Sequence, residues 1–179
     1  MKRTFVLITT VLATVLFANN SFAQSEELVR VYRWYNPEDK NYVTVSEGEY
    51  QEGQILNWGW KDKTLMFFAY RTPGPDRVAI NSWFNPLTKD YISIAEDEFT
   101  DDQMLKQGYR DKKTQYYALT RRGANTVTIY RWKVSKTADW VTIPEEGNTD
   151  TYFKKGYHHK TFQYYGIPRN VDAPIYNQL

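Results

Sequence analysis

Apolar and polar positions alternate with period two at the start of the first readable unit. Val29, Val31 and Tyr35 fall on one face, Tyr32 and Trp34 on the other, which predicts a strand. Asn36-Pro37-Glu38-Asp39 follows as turn chemistry, with proline pre-setting φ. Tyr42-Val43-Thr44-Val45 predicts the return strand of a hairpin. Ser46-x-x-Glu49 has the spacing of a capping box, so a short helix is expected from there to about Trp58. Gly59 supplies the left-handed stop, and Trp60 behind it can pack back on Ile55. Leu65 to Tyr70 predicts a third strand.

The pattern then recurs 49 positions on. Trp34-Tyr35-Asn36-Pro37 matches Trp83-Phe84-Asn85-Pro86, and the offset runs without a gap from Val31/Ile80 to Tyr70/Leu119. A third copy keeps Trp132 and Trp140, loses one residue, and continues with Gly156-Tyr157 and Tyr164-Tyr165-Gly166. There the Asn-Pro pair is replaced by Val134-Ser135. Three units are therefore expected, at about 29–70, 78–119 and 127–167, separated by loops at Pro73-Gly74-Pro75 and Gly123-Ala124-Asn125. A lone hairpin–helix–strand unit cannot bury both faces, so the three must share a core. The expected fold is a single β-rich α+β domain of three such units closed about a pseudo-threefold axis, trefoil-like or like a small propeller. A linear stack is the alternative. Closure is favoured because it protects strand edges and because neither terminal unit has a capping appearance.

The first 23 residues stand apart. Lys2 and Arg3 precede an apolar run from Phe5 to Phe17, and Ser21-Phe22-Ala23 places small residues before Gln24. This is the pattern of a cleaved signal peptide, with the domain expected over 24–179 and a periplasmic or secreted location. With no later apolar run of spanning length, no membrane insertion is expected. Removing Lys2 and Arg3 takes the 23 basic residues to 21, equal to the acidic count of 21. A neutral domain has no general attraction for nucleic acid. Cysteine is absent, so neither a disulfide framework nor thiol chemistry is available.

Chemistry-bearing patterns are sparse. His158 and His159 are adjacent, a poor arrangement for two ligands of one metal. No phosphate loop, nucleophile elbow or zinc signature occurs, and no cofactor is implied. Asp101-Asp102 and Glu145-Glu146 lack the alternating oxygen spacing of a calcium loop. Glu47, Glu96 and Glu145, with Glu49 and Glu98, sit where helix starts are expected, a capping role that gives no reason to expect facing catalytic carboxyls. The expectation is a protein without enzymatic activity.

Aromatic residues make up 17% of the chain and are the strongest binding candidates. Trp34, Trp83 and Trp132 recur in all units, as does the Tyr42, Tyr91, Trp140 position. Sugar rings lie flat on such faces while amides bond their rim, so each pair with Asn36 or Asn85 beside it reads as a carbohydrate patch. The competing reading is that three equivalent tryptophans fill a shared core. Trp58 has no aromatic counterpart, since Gln107 and Lys155 take its place, and it is a candidate contact for a protein partner.

Tyr32-Arg33-Trp34-Tyr35-Asn36-Pro37, Tyr42-Val43-Thr44-Val45-Ser46-x-x-Glu49, Gly59-Trp60 and Phe67-Phe68-Ala69 together resemble a repeat family of unknown function. That family occurs in secreted bacterial proteins, in some beside cell-wall or polysaccharide hydrolases. The resemblance implies an accessory, non-enzymatic, glycan-associated domain. Members commonly carry a histidine after the Asn-Pro turn, where this chain has Asn41, Asp90 and Asp139, so no role of that histidine carries over. The resulting expectation is a secreted binding module for polysaccharide, with an envelope protein-interaction or structural module as the alternative and a hydrolase behind both.

Overall fold

The computed structural model describes residues 27–134, 140–145, 153–154 and 156–170. The expected leader, Asp139, and most of the helix expected in the third unit lie outside them. The described chain is β-rich, with two short helices among the described residues. Its order is β1 (Leu28–Asn36), β2 (Asn41–Ser46), α1 (Glu52–Asn57), β3 (Lys61–Tyr70), β4 (Arg77–Asn85), β5 (Asp90–Ala95), α2 (Asp101–Lys106) and β6 (Arg110–Leu119). Then come β7 (Val127–Val134), β8 (Trp140–Pro144) and β9 (Tyr157–Pro168).

All pairings are antiparallel. β1 lies between β2 and β3, β4 between β5 and β6, and β7 between β8 and β9. The registers correspond position for position: Val31 faces Ser46, Ile80 faces Ala95, and Ile129 faces Pro144. Each long third strand carries the same two irregularities against its partner. At the second of them Asp62, Asp111 and His159 take left-handed φ of 51°, 57° and 52°. Such residues mark bulges that increase twist. Because of them β3 begins at Lys61, four residues before the expected start. Short pairings join the third strands: Tyr70 with Tyr117, Leu119 with Tyr165, and Phe67–Phe68 with Ile167–Pro168.

The helices begin later than the capping pattern suggests. In α2, Thr100 Oγ1 accepts from the Gln103 N–H at 3.3 Å, and Gln103 Oε1 accepts from the Thr100 N–H at 2.8 Å. In α1 the Gln51 N–H donates to Gln54 Oε1 at 3.2 Å. Ser46 and Glu49 make the same kind of bond, Ser46 N–H to Glu49 Oε2 at 3.1 Å, but around a turn that precedes the helix. The helix ends follow the expectation. The Trp60 and Gly59 N–H groups donate to the carbonyls of Ile55 and Leu56, and Tyr109 and Gly108 repeat this with Met104 and Leu105. That is a Schellman ending, with the C″ aromatic packed on Ile55 or Met104.

The first two hairpins are buried on both faces. Val29, Val31, Phe67 and Ala69 meet Ile80, Tyr116, Ala118, Ile129 and Tyr164 in one central core. On the opposite face the helices cover satellite cores. One contains Trp34, Val45, Ile55 and Trp60, and another Trp83, Ile92, Ile94, Met104 and Tyr109. At the centre the rings of Phe67, Tyr116 and Tyr164 stand 5.9, 6.3 and 6.2 Å apart. Where units one and two have Ala69 and Ala118, the third has Gly166, and a Cβ there would lie 2.7 Å from Phe67 Cδ2.

Candidate functional site

The three recurring tryptophans fill cores. Trp34, Trp83 and Trp132 are 2%, 4% and 1% exposed. A lysine crosses above each ring, with Lys63, Lys112 and Lys160 Nζ at 5.4, 5.7 and 5.6 Å from the centroids. Each ammonium is held by a carboxylate: Glu52 at 2.7 Å, Asp101 at 2.8 Å, or Glu145 at 3.3 Å. A sugar cannot lie where these side chains already lie.

Asn36 and Asn85 are likewise occupied. Asn36 Oδ1 accepts from the Glu38 N–H at 2.9 Å, and Asn85 Oδ1 accepts from the Leu87 N–H at 3.0 Å, closing the Asn-Pro turns. Their amide groups donate to Asp39 Oδ2 at 3.1 Å and to the Gln107 carbonyl at 3.2 Å. The second bond ties the β4–β5 turn to the end of α2. Both residues are buried, so the expected amide rim is part of the scaffold.

Tyr42, Tyr91 and Trp140 are half-buried, and Tyr91 and Trp140 pack on another unit. Tyr42 contacts the central core that holds Trp132 and Val141. Tyr91 contacts the Trp34–Ile55–Trp60 cluster, 6.1 Å from the Trp60 ring. Trp140 contacts the Trp83 cluster and lies under Arg131 at 4.7 Å.

Among the described residues, an open surface lies on the first unit, around Tyr50. A cleft of about 190 Å³ runs between Tyr32 and Tyr50, over Trp34, Val45 and Ile55, with Glu47, Glu52 and Lys63 at its rim. A smaller hollow of about 50 Å³ shares Val45, Tyr50 and Ile55 and is completed by Val43, Trp58, Trp60 and Tyr91. Tyr50 stands edge-on to Trp58 at 5.2 Å, and Lys113 Nζ is 4.5 Å from its centroid. Trp58, at the C-terminal end of α1, is 52% exposed, as its lack of an aromatic counterpart suggests. Tyr50 itself was not among the sequence candidates. Its pairing with Phe99 at the 49-residue offset is the signal that marks it. Burial raises the Tyr50 and Tyr91 hydroxyls above the usual tyrosine range, with nearby acidic charge adding to it. Both therefore act as neutral donors at neutral pH.

In the first two units the recurring carboxylates do not cap the helices, whose N-caps are Gln51 and Thr100. Glu47, Glu96 and Glu145 pair with Arg30, Lys112 and Lys160 beside the strand ends. Glu49 and Glu98 reach into neighbouring units. Glu49 Oε2 accepts from Ser46 and, at 2.9 Å, from Gln115 Nε2 of β6. Burial raises its pKa even though these bonds oppose the rise. Glu98 binds Arg131 of β7 through both oxygens, at 3.0 and 2.6 Å. His158 and His159 are exposed. Among the described residues no group of three His, Cys, Asp or Glu could hold a metal ion, and no helix is long and apolar enough to cross a membrane.

A family model described as a domain of unknown function, DUF5648, matches residues 30–167. No curated protein and no solved structure matches the chain.

Proposed function

The chain belongs to the DUF5648 family, and from there we propose that it is a non-catalytic, exported carbohydrate-binding module whose ligand lies in the first-unit cleft. The observation that carries this reading is the cleft itself, an open aromatic-walled groove with both acceptors and a cation at its rim. Lys63 and Lys113 lie over one face of Tyr32 and of Tyr50, at 4.4 and 4.5 Å from the centroids, so pyranose C–H groups would take the opposite ring faces, while Glu47 and Glu52 can bond hydroxyls. Recognition thus shifts from three equal patches to one unit, because the repeated Trp and Asn positions are consumed by packing. The absence of catalysis is supported by Glu49 and Glu98, which are engaged in bonds between units and do not face each other across a groove. Exposed Leu56 and Trp58 on and beside α1 favour a second reading, a protein partner in the envelope.

The test is a titration of isotope-labelled protein, recovered from the periplasm, with cellohexaose, xylohexaose and chitohexaose. Intact mass should place its first residue at Gln24. Amide shifts should cluster around Tyr32 and Tyr50. Tyr50→Ala should weaken binding about tenfold or more, roughly one aromatic contact's worth. Phe162→Ala, on the exposed surface of the third unit, should change nothing. Silence towards all three sugars at millimolar concentration would overturn the carbohydrate reading and leave the protein-partner one.

The same proposal reads the three units as copies closed about a pseudo-threefold axis. The near-equal Phe67–Tyr116–Tyr164 triangle supports it. So do the mutual contacts of β2, β5 and β8, one strand from each unit.

A further inference from the structure

Tyr50 divides two hollows of opposite character, and the division points to a ligand class. On one side is the larger cleft with a charged mouth. On the other is a hollow of about 50 Å³ whose lining is Val43, Val45, Ile55, Tyr50, Trp58, Trp60 and Tyr91. No carboxylate, ammonium or amide side chain lines it. A hollow of that size has room for a small apolar group such as a methyl. Water there has few partners, so replacing it with an apolar group is favourable.

From this pairing we propose that the ligand is a glycan bearing acetamido groups, with the pyranose ring against Tyr32 and Tyr50 and the acetamido methyl in the apolar hollow. This rests on the carbohydrate reading of the same cleft. The acetamido group is preferred over an acetate ester because its N–H can donate to a rim carboxylate, Glu47 or Glu52, and an ester has no such proton. The hollow exists because Tyr91 of the second unit closes it from behind. At the equivalent place in the second unit Phe99 replaces Tyr50 and Gln107 replaces Trp58, so one wall is lost. The second unit therefore lacks this selectivity.

The experiment compares chitohexaose with cellohexaose, which differ at the acetamido position, by calorimetry on the intact domain. One buried methyl predicts that chitohexaose binds about fivefold tighter. Val43→Phe fills the hollow from β2 and should bring that ratio to about one with cellohexaose affinity retained. Trp58→Ala removes an exposed wall, is the variant of lower folding risk, and should also collapse the ratio. Folding of both is checked by thermal melts. Equal binding of the two sugars by the parent, or a preference that survives in the folded variants, overturns the acetamido assignment while the carbohydrate reading stands. Binding of neither sugar overturns the acetamido assignment, and silence of xylohexaose as well overturns the carbohydrate reading.

Discussion

At the scale of single residues, the central core contains a polar pair that the sequence does not advertise. The hydroxyls of Tyr116 and Tyr164 are hydrogen-bonded at 2.7 Å, and both residues are fully buried. Burial holds both well above the ordinary tyrosine pKa, so the pair remains neutral across the working range. Phe67 occupies the corresponding place in the first unit and brings no hydroxyl, leaving two groups that share one hydrogen bond. Tyr116→Phe should cost about 1–3 kcal/mol, because the Tyr164 hydroxyl is left buried without its partner. The double variant Tyr116→Phe/Tyr164→Phe should lie closer to the parent than the sum of the single changes, as read by urea denaturation. Additive losses would mean that the two hydroxyls are not coupled. The offset of the repeat makes these positions equivalent on paper. That they touch is a fact about distance through space.

At the scale of elements, the helix ends were legible and the helix starts were not. Gly59, Gly108 and Gly156 take φ of 86°, 90° and 87°, the left-handed stop that their spacing implies. Gly108→Ala is expected to cost about 1–2 kcal/mol from the left-handed backbone. An added Cβ there would also stand 3.2 Å from Asn85 Nδ2. Gly53→Ala, inside α1 with nothing within 4 Å of the new methyl, should instead stabilise by about 0.5–1 kcal/mol. Opposite shifts in thermal melting midpoint check the pair, and equal shifts would refute the argument. The helix start was misplaced because Ser-x-x-Glu closes a turn as readily as it caps a helix. Ser46 and Glu49 bond locally, yet Glu49 also finds Gln115, which is 66 positions away. That distant donor holds the carboxylate at the seam between units.

At the scale of the molecule, the satellite cores and the centre all depend on rings delivered from another unit. Tyr91 completes the Trp34 cluster, Trp140 the Trp83 cluster, and Tyr164 the centre. A chain ending before Val127 loses Trp140, Ile129 and Tyr164 together and exposes the edges of β3 and β6. It is therefore expected to show no cooperative unfolding transition by circular dichroism. A truncated chain with a sharp melt near that of the parent would mean that the units stand independently, as in a linear stack, and the closed arrangement would be wrong.

The β-rich character, the hairpins, the turns and the glycine stops can be read along the chain, because strand alternation, turn chemistry and left-handed φ act over a few neighbouring residues. The sequence also marked three equivalent tryptophans without deciding their use. Only the tertiary structure decided that. Lys63, Lys112 and Lys160 return on the third strands to cover the rings, and Tyr91 crosses from the second unit to shape a hollow in the first. Burial and openness depend on what arrives from elsewhere in the chain, and one-dimensional spacing carries no record of which side chain that is.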